Sequence, residues 1–202
     1  AITVDSHDLR DVTLASLRSV IGIVQQDVFL FSATVRDNIA YGKEDATIDE
    51  VMAAAKTAQL HDEIMAMAEG YETLIGERGT TLSGGQRQRL SIARTLILDP
   101  PVLVLDDSTA SVDAGTESSI QQAMGEVVKG RTTFIIAHRL SSIQHAQRIV
   151  VLEGGKIAEL GTPHELMATG GLFTHLTELQ YATNLNGHQA PSPVRPARGV
   201  RS

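Results

Sequence analysis

Four short runs of consecutive apolar residues punctuate the chain: "VIGIV" (20–24), "VLVL" (102–105), "TTFIIA" (132–137) and "RIVVL" (148–152). Runs of this length without polar alternation predict strands buried on both faces, the pattern of a parallel sheet. Between them the apolar positions recur with helical spacing. The segment from Val35 to about Ala68 predicts nearly continuous helix, centred on "DEVMAAAKTAQLHDEIMAMA". A second helix opens in "TTLSGGQRQRLSIARTL" (80–96) and runs to Leu98, where Asp99-Pro100-Pro101 stops it. Further on, "GGKIAELG" predicts a short strand, and Pro163 opens a helix behind Thr162. This alternation predicts an α/β core with a helical insertion between residues 33 and 98.

The chemistry gathers at the ends of the strands. Gln26 follows "VIGIV", Asp106 and Asp107 follow "VLVL", and His138 follows "TTFIIA". Open parallel sheets bind ligands outside the carboxyl ends of their strands, so one edge receives an amide, two carboxylates and an imidazole. Taken singly, the glutamine also suits a turn, the aspartates a helix cap and the histidine a structural role. Taken together with the glycine-opened helix they suit phosphoryl transfer to water with Mg²⁺. An aspartate closing an apolar strand holds the metal, mainly through water, and the next carboxylate orients the attacking water. Ser83 is the expected N-cap, and the amides of Gly84, Gly85 and Gln86 face outward from the positive end of the helix dipole, where phosphate binds.

A loop of the form G-x-x-x-x-G-K-[ST] would complete such a site. Neither Gly-Lys pair in the chain fits. Gly42-Lys43 has Asp37 at the leading glycine position and Glu44 after it, while Gly155-Lys156 has Val150 and Ile157 there.

Composition narrows the class. Hydrophobic residues make up 42% of the 202, enough for a core, and the absence of cysteine excludes disulfides and thiolate metal sites. No apolar stretch approaches the ~18 residues of a membrane span, and nothing at the start resembles a secretory signal. The chain begins at Ala1 within an apparent strand, which reads as a boundary interior to a longer polypeptide. A net charge of −7 argues against nucleic-acid binding. Residues 186–202, "NGHQAPSPVRPARGVRS", are proline-rich and basic without an acidic residue, and read as a disordered, solvated tail.

At these residues the sequence resembles the ATP-binding cassette (ABC) family, in particular the nucleotide-binding domains of exporters, from Ile2 to about Tyr181. "LSGGQ" (82–86) matches the family signature letter for letter, and "RQRLSIARTL" continues it. "VLVLDD" (102–107) resembles the Walker B strand, "ASVD" (110–113) the D-loop, and "IIAHRLS" (135–141) the switch-histidine segment. "IVQQDVFLFSATVRDNIAYG" (23–42) resembles the Q-loop with its exporter-type continuation, and "GERG" (76–79) resembles a feature of exporters and not of importers.

The resemblance implies a P-loop NTPase-like (RecA-like) parallel sheet, incomplete at its N-terminal side, with a helical subdomain. The segments would be a core strand ending in the Q-loop (1–32), the helical subdomain with the signature (33–98), the core with Walker B, D-loop and switch histidine (99–182), and the tail (183–202). It implies ATP and Mg²⁺ as cofactors, with Asp106 and Gln26 on the metal and Asp107, His138 and Gln26 as catalytic residues. Two such domains sandwich two ATP molecules head to tail. Ser83, Gly84, Gly85 and Gln86 would therefore cap the ATP of a partner domain, in trans, with Asp113 at the dimer interface.

The Walker A lysine would lie upstream of Ala1, preceded by a transmembrane domain, placing this segment on the cytoplasmic face of the cell membrane and its ATPase in the service of solute efflux. One further departure stands at Asp107, where active members usually have glutamate. The missing methylene pulls the carboxylate back by ~1.5 Å, and misplacement of ~1 Å costs up to ~10²-fold in rate. A non-catalytic module that lends only its signature to a partner is the alternative.

Overall fold

Leu103 and Leu105 are fully buried in β4 (Val102–Asp106), the middle strand of a three-stranded parallel sheet. β4 pairs on one side with β3 (Ile21–Val24) and on the other with β5 (Thr132–Ile136). The computed structural model describes residues 1–76, 79, 81–106, 122–137, 143 and 146–186, with side chains as far as Tyr181. It divides into two compact units, Ala1–His145 and Ala146–Ser202.

The first unit opens with a hairpin, β1 (Thr3–Val4) and β2 (His7–Asp8), whose turn residues Asp5 and Ser6 both have positive φ, 47° and 68°. Thr13 caps α1 (Leu14–Val20) through its side-chain oxygen, and α1 leads directly into β3. Gly22 in β3 permits a close approach: a Cβ there would stand 2.6 Å from Pro100 Cγ and 2.7 Å from Thr95 Cγ2. Thr95 belongs to α5 (Gly84–Leu96), which packs along β3 and donates from Thr95 Oγ1 to the carbonyls of Ser91 and Ile23.

The helical insertion is built from pieces, not from the continuous helix expected over 35–68. α2 (Val35–Ala40), α3 (Ile48–Thr57) and α4 (His61–Met65) are separated by loops, with a 3₁₀ turn at Gly70–Glu72. The breaks have local causes. Thr47 and Glu50 form a capping box that starts α3 afresh, and Gln59 takes a left-handed φ of 54° that ends it. Val35, Ile39, Val51, Ala55, Ile64, Leu90 and Ile92 close a core between these pieces and α5. α5 itself ends at Leu96, two residues earlier than the apolar pattern suggests, and Asp99 turns left-handed, φ 45°, before Pro100. Residues 122–127 form α6, burying Ala123, Met124 and Val127.

"TTFIIA" differs from the expected two-face burial. Phe134 and Ile136 of β5 are about half exposed, and among the described residues β5 pairs with β4 alone.

In the second unit, "RIVVL" is not a further parallel strand. β6 (Ile149–Glu153) pairs antiparallel with β7 (Lys156–Gly161). Gly154 and Gly155, both left-handed, form the tight two-residue turn that sends the chain straight back. An apolar run reports burial and not the direction of pairing, so the sequence could not distinguish the two. Thr162 and Glu165 form a second capping box that starts α7 (Pro163–Thr169), as the Thr-Pro pair predicts, and Gly170 ends it with φ 66°. α8 (Leu172–Asn186) continues past residue 182, and the next residue, Gly187, is the first helix breaker in that sequence.

Candidate functional site: the N-terminus of α5 and the carboxyl edge of the sheet

The start of α5 is a third capping box. Ser83 Oγ accepts from the Gln86 amide at 3.2 Å, and Gln86 Oε1 accepts from the Ser83 amide at 2.9 Å. Ser83 is therefore the N-cap its position predicted. The amides of Gly84 and Gly85, at the first two helical positions, have no intrahelical acceptor, as at any helix start. The Ser83 hydroxyl beside them is exposed, Gly84 is half-buried and Gly85 is buried. α5 has no acidic residue in its first turn, whereas α2, α3, α4 and α7 each have one or two. The positive end of its dipole is left uncompensated on its own helix.

Gly79 and Leu82, ahead of this cap, are closely packed. Gly79 is left-handed, φ 74°, and a Cβ there would meet Leu30 Cδ1 at 2.8 Å and Arg87 Cδ at 3.0 Å. Its carbonyl accepts from the Leu82 amide, and Arg87 Nη1 donates to the Leu82 carbonyl at 2.7 Å.

Strand register brings the other residues to one edge. Val24 lies beside Leu105 and Leu105 beside Ile135, so the three carboxyl ends are level. Asp106 is the last residue of β4, half-buried and opposite Ile136. Gln26 is two residues beyond β3 and exposed. An Asp106 carboxylate and a Gln26 amide are hard oxygen donors suited to Mg²⁺ and its waters. Among the described residues no group of three or more acidic or histidine side chains forms a dedicated metal cage. Asp107, Asp113 and His138 lie outside the described residues.

Two polar clusters went unread in the sequence. In the first, Asn38 is completely buried; its Oδ1 accepts from the Phe31 amide at 3.0 Å and its Nδ2 donates to the Phe31 and Thr34 carbonyls. Arg94 of α5 donates to the Asn38 carbonyl, to Asn38 Oδ1 and to the Phe29 carbonyl, at 2.9, 2.7 and 2.7 Å. Its guanidinium lies 5.3 Å from the Phe31 ring centre and 5.9 Å from that of Tyr41. Burial lowers the Arg94 pKa from its ordinary value. The chain between Gln26 and α2 is thereby fastened to α5.

In the second cluster, Arg89 is 3% exposed and donates to the carbonyls of Gly85 and Gln59. The remaining partner of its guanidinium is Glu63 of α4, 2.7 Å away. The only signal in the sequence was an arginine three residues after Gln86, on the helix face otherwise marked by Leu90 and Ala93.

A parallel α/β sheet with a carboxylate and an amide at its carboxyl edge, and a helix with free amides at its N-terminus, are features that nucleotide-binding domains use for phosphate. The model of the ABC transporter family matches residues 1–110, and the chain belongs to that family. Its fold is that family's nucleotide-binding domain, a P-loop NTPase, as the motifs led one to expect. It is 53% identical over 180 residues to the uncharacterized ABC transporter ATP-binding protein YknU of Bacillus subtilis, covering 89% of this chain and 31% of that protein. It is 52% identical over 185 residues to the putative multidrug export ATP-binding/permease protein YgaD of the same organism, covering 92% and 31%. A bacterial Atm1-family ABC exporter with ATP bound superposes with a TM-score of 0.81 and 45% identity, over 87% of this chain and 31% of that one. The chain thus spans about a third of the length of these relatives.

Proposed function

We propose that this chain is the ATPase-domain portion of an ABC exporter that couples ATP hydrolysis to solute efflux, and that the N-terminus of α5 serves the ATP of a second nucleotide-binding domain. The observation that carries the reading is the donor set at α5. Ser83 is exposed at the helix start, and the amides of Gly84 and Gly85 behind it have no intrahelical acceptor. The chemistry of that set suits a γ-phosphate. Asp106 and Gln26 would hold Mg²⁺ through water, Asp107 would orient the attacking water, and His138 would donate to the γ-phosphate oxygen as charge develops there. Bound Mg²⁺ supplies neutralisation of phosphate charge. The partner is an identical or a different nucleotide-binding domain, with a transmembrane domain in the same polypeptide and the site on the cytoplasmic face. Among the described residues no helix is long and apolar enough to cross a membrane.

Gly85→Asp tests the trans role. In an exporter polypeptide that supplies the Walker A loop, a side chain and a like charge at Gly85 should abolish ATP-dependent association of the two domains. Nucleotide binding by the same subunit's Walker A loop should survive. Association undiminished in the variant refutes the reading.

A second reading is favoured by Asp107, which is one methylene shorter than the glutamate of active family members: a domain that lends its signature but hydrolyses slowly. Asp107→Glu then raises ATP turnover in the exporter, and an unchanged rate rejects that reading.

A further inference from the structure

Both polar ends of the Gln86 side chain are engaged within its own domain, one of them by a residue far away in the sequence. Its Oε1 accepts from the Ser83 amide, and its Nε2 donates to Glu63 Oε2 at 3.0 Å. The other oxygen of the same carboxylate, Oε1, takes the Arg89 guanidinium at 2.7 Å. Glu63 thus bridges two residues of α5 one turn apart, both on the face that opens with the signature.

We propose that Glu63 is a positioning residue for the signature: it fixes the orientation of the Gln86 amide and so sets how well the Ser83–Gly85 donors receive phosphate. This rests on the trans role proposed above. An amide side chain has two nearly equivalent orientations, and only one presents its oxygen to the Ser83 amide. A carboxylate accepts and cannot donate, so Glu63 permits only the orientation that turns NH₂ toward it and the oxygen toward Ser83. With Gln86 flipped, two donors would face each other at Ser83 and the cap would open.

Electrostatics favour the same arrangement. Arg89, almost completely buried, compensates the Glu63 charge, so α4 carries its carboxylate to the anion-binding end of α5 without repelling the anion. Arg89 is in turn fixed by the Gln59 carbonyl, which the left-handed conformation of Gln59 accompanies, and by the Gly85 carbonyl. The fragmentation of the helical insertion, with α4 starting just beyond Gln59, is what brings Glu63 to α5.

A double-mutant cycle with Gln86→Ala tests this in the complete exporter polypeptide, reading the Mg-ATP concentration for half-maximal hydrolysis beside kcat. Loss of one charge-assisted hydrogen bond that holds a cap predicts that Glu63→Ala raises KM about five- to tenfold with kcat within about twofold. In the Gln86→Ala background the same substitution should raise KM no further, because its effect passes through that side chain. A merely structural role of Glu63 would lower thermal stability in both backgrounds without this non-additivity. Glu63→Gln, closer in size, runs through the same cycle in case the alanine variant folds poorly; it too should shift KM only when Gln86 is present. Additive KM effects, or an unchanged KM with either variant, overturn the inference. Gly85→Asp separates the two failures: if it abolishes ATP-driven association while the Glu63 variants leave KM unchanged, the trans role stands and the positioning role falls.

Discussion

Replacing Asn38 by alanine should cost this chain about 3 kcal/mol, and the structure shows where that cost arises. The side chain is completely buried and makes four hydrogen bonds: it accepts from the Phe31 amide and Arg94, and donates to the Phe31 and Thr34 carbonyls. Two of those partners keep another bond after truncation. The Phe31 carbonyl still accepts from the Ala33 amide, and the Thr34 carbonyl from the Asn38 amide. The other two groups lose their acceptor: the Phe31 amide and one guanidinium N–H of Arg94. A buried donor left unpaired costs about 1–3 kcal/mol; these two are half-buried, so the lower half of that range applies to each and they give roughly 3 kcal/mol together, before any contribution from the small cavity. For a chain of this size that lowers Tm by about 6–12 °C. Asn38→Asp keeps the acceptor for Phe31 and Arg94 but sets an oxygen in place of the NH₂ donor, 3.0 Å from the Phe31 and Thr34 carbonyls, so it should destabilise the chain as well. Thermal unfolding followed by circular dichroism reads both. A drop below about 2 °C for alanine refutes the accounting.

Two further outcomes follow from local geometry. Ser6→Gly should stabilise the β1–β2 hairpin by about 1 kcal/mol, because Ser6 sits at φ 68°, where a Cβ is strained and glycine is not; denaturant unfolding reads the gain, and a loss shows that the side chain matters more than the backbone. The Glu165 carboxyl is held below its ordinary value of 4.5, first by the Thr162 amide and next by the Thr162 hydroxyl. Its contribution to α7 is therefore complete above the unfolded value and is lost as pH falls through the folded one. Hydrogen exchange in α7 should accelerate as pH drops below about 4.5 relative to Glu165→Gln, and parallel profiles in the two proteins would show that the cap is not the cause.

What the sequence conveyed and what it withheld divide along the range of the forces involved. "VLVL" was legible as a buried parallel strand because its run leaves no polar position. Ser83 and Thr162 were legible as caps because a cap is satisfied within three residues. Asn38 read as an ordinary polar helix position, since its hydrogen bonds go to the backbone of a loop that the sequence does not place beside it. The same holds for Arg94, whose acceptors at Phe29 and Asn38 are 65 and 56 positions away. Glu63 stood within an alanine-rich helical pattern, where a charge usually marks a solvated face. The direction of the "RIVVL" strand was fixed by two glycines just beyond it and not by the strand itself.

The three capping boxes differ in one atom that matters. At α3 and α7 the reciprocating side chain is a carboxylate, Glu50 or Glu165, and both are held below the ordinary glutamate value, Glu50 chiefly by Lys43 and Glu165 chiefly by the Thr162 amide. At α5 it is the amide of Gln86. A carboxylate there would close the cap equally well, but it would stand one turn from the donors assigned to a phosphate. Like charges ~6 Å apart repel by about 3 kcal/mol at an effective dielectric constant of 20. The amide closes the cap without adding a charge of its own. It also has no proton of its own to lose between acid and alkaline conditions, whereas the carboxylates of the other two caps respond to acid.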